Sequence, residues 1–176
     1  MAPRLITVFG SSRSLPGSAA FEEAVVFGQT IARAGFGVAT GGYAGAMEAV
    51  SLGVKQAGGT TVGVTAPDLF KTRRNPNPHL DLEFRAPSLP ARIARLLDLG
   101  EAALALPGGV GTLTELALAW NLIYVEKQAG LYSKPLFVHQ SWQELLRPGL
   151  EISAAELELL HWLSSPEELA EALAEL

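Results

Sequence analysis

Leu104-Ala105-Leu106-Pro107-Gly108-Gly109-Val110-Gly111-Thr112-Leu113-Thr114-Glu115 passes from strand to helix across a cluster of glycines. The apolar run Ala102 to Leu106 reads as a buried strand, Pro107-Gly108-Gly109 breaks it, and a helical pattern begins near Thr112. Gly108, Gly109 and Gly111 allow backbone angles that a Cβ forbids and let a ligand approach the chain closely. Strand, glycine turn and helix start together aim free backbone N–H groups and the positive helix end at one place, which suits an anion such as phosphate. Gly108, Gly109, Val110, Gly111 and Thr112 are therefore the phosphate-binding candidates, with Glu115 one turn inside the helix beside them. Thr112-Leu113-Thr114-Glu115 also fits a capping box, in which Glu115 reaches back to the Thr112 N–H, although a cap alone does not call for three glycines.

Upstream, Leu5 to Phe9 is a continuous apolar run, as expected of a strand covered on both faces. It ends at Gly10-Ser11-Ser12, and Pro16-Gly17-Ser18 leads into a helix over about 19–34. Ser11 and Ser12 thus fall at the carboxyl end of the first strand, where open parallel sheets bind ligands, or serve as turn and capping hydroxyls. A second strand, Phe36 to Thr40, runs into Gly41-Gly42-Tyr43-Ala44-Gly45-Ala46-Met47-Glu48 and a helix to about Ala57. This repeats the order strand, double glycine, third glycine, helix and acid, and adds Gly41, Gly42, Gly45, Met47 and Glu48 to the candidate site. Neither cluster is a P-loop or a G-x-G-x-x-G fingerprint.

Thr61 to Thr65 reads as a third strand. The polar stretch 66–78, with Lys71, Arg73 and Arg74, reads as a lid, an interface arm or a surface loop. Asp81 to Arg85 reads as a short, edge-like strand. Ser88 caps a helix carrying Arg92, Ile93, Leu96 and Leu97. After the glycine helix, with Leu116, Ala119, Trp120, Ile123 and Tyr124 on its apolar face, Pro135 to Val138 is the last strand. Helices near Trp142 to Leu146, Ala154 to Leu163 and Pro166 to Leu176 complete the chain. Trp142 and Trp162 read as packing residues. Strands alternating with helices in this way give one doubly wound α/β domain over 1–176, mostly parallel, with helices on both faces, and bring Ser11, Gly42 and Gly109 to one sheet edge.

Composition narrows the function. At 176 residues, 48% hydrophobic and 18% charged, the chain is a globular protein. A net charge of −5 argues against a nucleic-acid partner. Cysteine is absent, which removes disulfides, thiolate nucleophiles and Cys-ligated metals. His79, His139 and His161 are scattered, so no metal site is expected. The opening run is too short for a signal-peptide core or a membrane span, and a cytoplasmic location is expected.

Pro107-Gly108-Gly109-Val110-Gly111-Thr112-Leu113-Thr114-Glu115 resembles the P-G-G-x-G-T-x-x-E motif of the LOG family of cytokinin-activating phosphoribohydrolases, long labelled possible lysine decarboxylases. The resemblance extends to Val8-Phe9-Gly10-Ser11-Ser12 and to Thr40 through Glu48, and an ungapped count back from Leu106 sets Arg92 on the family's catalytic arginine. It implies hydrolysis of the N-glycosidic bond of AMP or a cytokinin-like riboside monophosphate to base and ribose 5-phosphate, without cofactor, by Glu115 and Arg92. The chain departs from the family at Ile93, where lysine is common, and at Tyr43 and Glu48 in the middle motif. A homodimer through the faces around Trp120, Tyr124 and the Arg92 helix is expected as well. Lysine decarboxylation is set aside, because none of Lys55, Lys71, Lys127 and Lys134 sits in a glycine motif, as a pyridoxal phosphate Schiff base needs. The alternative is a non-catalytic carrier of a nucleotide or phosphorylated cofactor, which needs the phosphate turn but not an acid paired with an arginine.

Overall fold

The structure, a computed structural model, describes residues 3–69, 75–146 and 150–176. Its centre is a parallel sheet of seven strands in the order β4-β3-β2-β1-β5-β6-β7. The strands are β1 (Leu5–Phe9), β2 (Gly37–Thr40), β3 (Thr61–Thr65), β4 (Leu82–Arg85), β5 (Ala102–Ala105), β6 (Leu136–His139) and β7 (Leu160–Leu163). Every neighbouring pair runs parallel, with Val8 opposite Thr40 on one side and Leu104 on the other. The strand order reverses between β1 and β5, so the chain leaves these two neighbours toward opposite faces and opens a crevice at their carboxyl ends.

The helices are α1 (Ala19–Arg33), α2 (Ala46–Gln56), α3 (Leu89–Leu99), α4 (Val110–Gln128), the single turns α5 (Gln143–Leu146) and α6 (Ala154–Leu157), and α7 (Pro166–Leu173). Phe21, Phe27, Ile31 and Val50 of α1 and α2 share one apolar cluster with Leu169 and Leu173 of α7. Leu96 of α3 and Leu116, Ala119 and Ile123 of α4 share the other with Leu136, Val138 and Trp142. A buried leucine or phenylalanine contributes about 1.5–3 kcal/mol over an exposed one, so two such layers hold the crevice walls firmly against the sheet.

Two elements correct the sequence reading. Leu160–Leu163, expected as the end of a helix, is an edge strand paired along the whole of β6. Leu157, Leu160 and Leu163 mimic a helical stripe in sequence, but β6 would otherwise leave its backbone unpaired. The ladder decides. The glycine helix begins at Val110 with Gly109 as its N-cap, not near Thr112. Thr112 is therefore inside the helix, and the Thr112–Glu115 capping box does not form. Lys71, Arg73 and Arg74 lie outside the described residues. Trp120 is half-buried and donates its indole N–H to the Glu156 carbonyl at 2.8 Å. The exposed large apolar residues of α4 are Val110, Leu118, Leu122, Tyr124 and Val125.

Candidate active site

A cleft of about 800 Å³ opens over the β1–β5 reversal. Its walls come from the β1 turn (Ser11, Ser12), the start of α1, Met47 of α2, Arg92 and Ile93 of α3, and the whole of Pro107 to Thr112 with Thr114 and Glu115. The β1 turn is the joint of this construction. The Ser11 N–H donates to the Pro107 carbonyl at 3.1 Å, and the Ser11 carbonyl accepts the Ala46 N–H at 2.7 Å. One residue thus ties the β5 turn to the α2 start, while its hydroxyl accepts the Arg13 N–H at 3.0 Å. Trp142, read as a packing residue, also braces the β5 turn by donating its indole N–H to the Leu106 carbonyl at 3.1 Å.

The α4 start has no side-chain cap. Its first N–H groups, for which helical geometry supplies no acceptor, belong to Val110, Gly111 and Thr112, which line the cleft. None of Gly108, Gly109 and Gly111 has a positive φ, so the expectation of forbidden backbone angles there is corrected. Their value is space. A Cβ on Gly108 would strike the Thr112 side chain, whereas nothing approaches a Cβ position on Gly109 or Gly111 within 4 Å. The two open glycines leave the backbone bare where an anion can approach it.

Arg92 and Glu115 form the floor. The Arg92 Nη1 donates to Glu115 Oε1 at 3.1 Å, with side-chain exposures of 7% and 11%. Arg92 Nε donates to the Val64 carbonyl at 2.8 Å, and its guanidinium carbon lies 6.0 Å from the Tyr43 ring centroid. Burial pushes the Glu115 carboxyl above the ordinary 4.5, although the charge and hydrogen bond of Arg92 pull the other way. The result is a desolvated carboxylate at the bottom of an open cleft, held by an arginine that is itself held by the sheet edge.

The middle glycine motif meets this site at one remove. Met47 lines the cleft; Gly41, Gly42, Gly45 and Glu48 do not. A Cβ on Gly41 would collide with the Arg92 guanidinium and with the Met47 sulfur, so Gly41 keeps the room that Arg92 occupies. Gly42, at φ +77°, packs on Gly63 and Thr65, and its carbonyl accepts the Asn77 N–H at 2.8 Å. Gly45, at φ +83°, lies against the Ser11 and Ser12 backbone. Glu48 is half-buried on α2.

The cleft also contains residues for which the sequence analysis had no role: Arg13, Ser14, Leu15, Ser18 and Glu23 on the α1 side. They follow a strand without a glycine cluster, so their signal was only their place after the first strand. Among the described residues no group of three or more His, Cys, Asp or Glu side chains could hold a metal ion, and no helix is long and apolar enough to cross a membrane.

A family model described as the SLOG cluster4 family matches residues 3–142. The chain belongs to this LOG-like family. Among its curated relatives, the Mycobacterium tuberculosis cytokinin riboside 5'-monophosphate phosphoribohydrolase is 34% identical over 102 residues, covering 58% of this chain and 52% of that one. The Rhodococcoides fascians protein of the same name is 32% identical over 137 residues, 76% of this chain and 66% of that one. The chain therefore spans about half the length of the mycobacterial relative. Among solved structures, the molybdenum cofactor binding protein of Rippkaea orientalis superposes with a TM-score of 0.76 at 28% identity, covering 99% of this chain and 98% of that one. The molybdenum cofactor carrier protein of Chlamydomonas reinhardtii shares the fold, with a TM-score of 0.75 at 24% identity over 99% and 98% of the two chains.

Proposed function

We propose that this member of the SLOG cluster4 family hydrolyses the N-glycosidic bond of a nucleoside 5'-monophosphate, AMP or a cytokinin-like riboside monophosphate, releasing the base and ribose 5-phosphate. The observation that carries this reading is the buried Arg92–Glu115 pair beside an uncapped helix start in one cleft. The 5'-phosphate sits on the N–H groups of the α4 turn and the Thr112 hydroxyl, in the space left by Gly109 and Gly111. The ribose then lies over the floor. Cleavage leaves positive charge on the sugar, an oxocarbenium-like state, which the Glu115 carboxylate stabilises in a desolvated setting while orienting or deprotonating the attacking water. Arg92 fixes that carboxylate and keeps it ionised against the cost of burial. The names of the two curated relatives support the same reaction.

The second reading is carriage of a phosphorylated cofactor, favoured by the near-complete superposition on the Rippkaea orientalis binding protein. A carrier uses the phosphate turn but has no use for a carboxylate buried against an arginine at the sugar. The two readings separate in a chromatographic assay of base release. Adenine released from AMP and not from adenosine supports the hydrolase and the phosphate requirement. Binding of AMP with no base released, from AMP or from other nucleoside monophosphates, supports the carrier.

A further inference from the structure

The proposed reaction leaves the α1 side of the cleft without a role. There the exposed Ala20 and the edges of Ala24 and Leu106, each only 2% exposed, are the apolar lining, and Glu23, on the second turn of α1, belongs to the same lining. The Glu23 side chain is 40% exposed, open enough to meet a ligand. It is also placed. Glu23 Oε1 lies 3.8 Å from Nε2 of His139, the last residue of β6, whose own side chain is only 11% exposed. The His139 Nδ1 accepts the Ser141 N–H at 3.2 Å and lies 2.9 Å from the Ser141 hydroxyl. A ring nitrogen that accepts a backbone N–H carries no proton, so the neutral ring carries its proton on Nε2, facing the carboxylate. His139 thus stands as a donor near the Glu23 carboxylate, 3.8 Å away, on the β6 side of a partly exposed side chain.

From this arrangement we infer that Glu23 reads the base: its carboxylate accepts a hydrogen bond from an exocyclic amino group of a nucleobase laid against the Ala20 side of the cleft, with His139 as the positioning residue. The inference rests on the nucleotide reading above and extends it to the substrate class, an aminated base such as adenine. An ionised acceptor favours a base edge that offers a donor and disfavours one that lacks it. The other apolar residues of the lining, Met47, Leu89 and Ile93, have no such selectivity and offer the base only dispersion contacts.

The test compares AMP with purine riboside 5'-monophosphate, which keeps phosphate, ribose and ring and lacks the 6-amino group. Base release is measured with the wild type, Glu23→Ala and His139→Gln. The wild type is expected to favour AMP by about 10- to 100-fold in kcat/KM, the range for one hydrogen bond to a charged acceptor. Glu23→Ala should remove that preference by slowing AMP alone, and His139→Gln should reduce it. A general structural defect lowers both nucleotides together and leaves the ratio unchanged. No preference in the wild type, or a preference that survives Glu23→Ala, overturns the inference and assigns the base to Met47, Leu89 and Ile93. If the wild type releases base from neither nucleotide, hydrolysis fails, and the same ratio taken from calorimetric dissociation constants still decides the role of Glu23. Binding of neither overturns both.

Discussion

Gly41–Glu48 and Pro107–Glu115 look like two copies of one device: strand, double glycine, third glycine, helix, acid. The structure uses them in opposite ways. The first turns its glycines inward. Gly42 and Gly45 take positive φ angles against neighbouring backbone, and the first N–H of α2, that of Ala46, is consumed by the Ser11 carbonyl. The second turns its glycines outward, with ordinary φ angles, no cap and open space above Gly109 and Gly111. The first cluster is a hinge pin for the fold and the second is a surface for a ligand. Their acids differ in the same way: Glu115 is buried on Arg92, whereas Glu48 stands away from the cleft.

The sharpest break of this pairing is between the acids. Glu115→Gln removes the charge that the proposed oxocarbenium-like state needs, and kcat should fall by about 10²–10⁴-fold, the range for general acid–base and electrostatic groups. Glu48→Gln should stay within about 3-fold of the wild type, well under 1 kcal/mol in barrier. Equal losses in the two variants would erase the distinction between the clusters.

The glycines come next. Gly45→Ala sets a Cβ into the Ser11–Ser12 backbone at a left-handed φ and should cost about 2–4 kcal/mol of stability, combining backbone strain with overpacking. Gly109→Ala should cost well under 1 kcal/mol, because its φ is ordinary and its Cβ meets nothing, yet it should weaken AMP binding about 10-fold by intruding on the phosphate space. Chemical denaturation and calorimetry on the two variants read both effects. A stable Gly45→Ala protein, or a Gly109→Ala protein with intact affinity, would contradict these assignments.

The smallest effect sharpens the role of Glu115. Burial raises its carboxyl above 4.5, and the reaction needs the ionised form. Activity should therefore be present at neutral pH and be lost as pH falls through that raised value, giving an acid limb in kcat/KM with its midpoint above 4.5. A midpoint at or below 4.5 would assign the essential ionisation to another group.

Much of this was legible in the residues. The β-branched run Leu5–Phe9 and the alanine–leucine run of β5 could only be strands covered on both faces, and each break after a strand marked its carboxyl end. The capping Ser88 and the helical stripe after it placed Arg92 one helix before the phosphate turn. What stayed hidden was set by contacts distant in sequence. β7 is a strand because β6 offers it a ladder. Thr112 lies inside its helix because the chain turns at Gly109. Glu23 of α1 and His139 at the end of β6 are far apart in sequence and come within 3.8 Å only in the fold.

The sequence by itself determined the parallel α/β order and which turns carry glycine, because strand and helix periods and Cβ-free positions are local properties of the chain. The tertiary structure decided which glycine turn faces a ligand and which carboxylate becomes a buried partner of arginine. Those depend on what packs against each turn: the Ser11 carbonyl closes the α2 start, and among the described residues no side chain caps the start of α4.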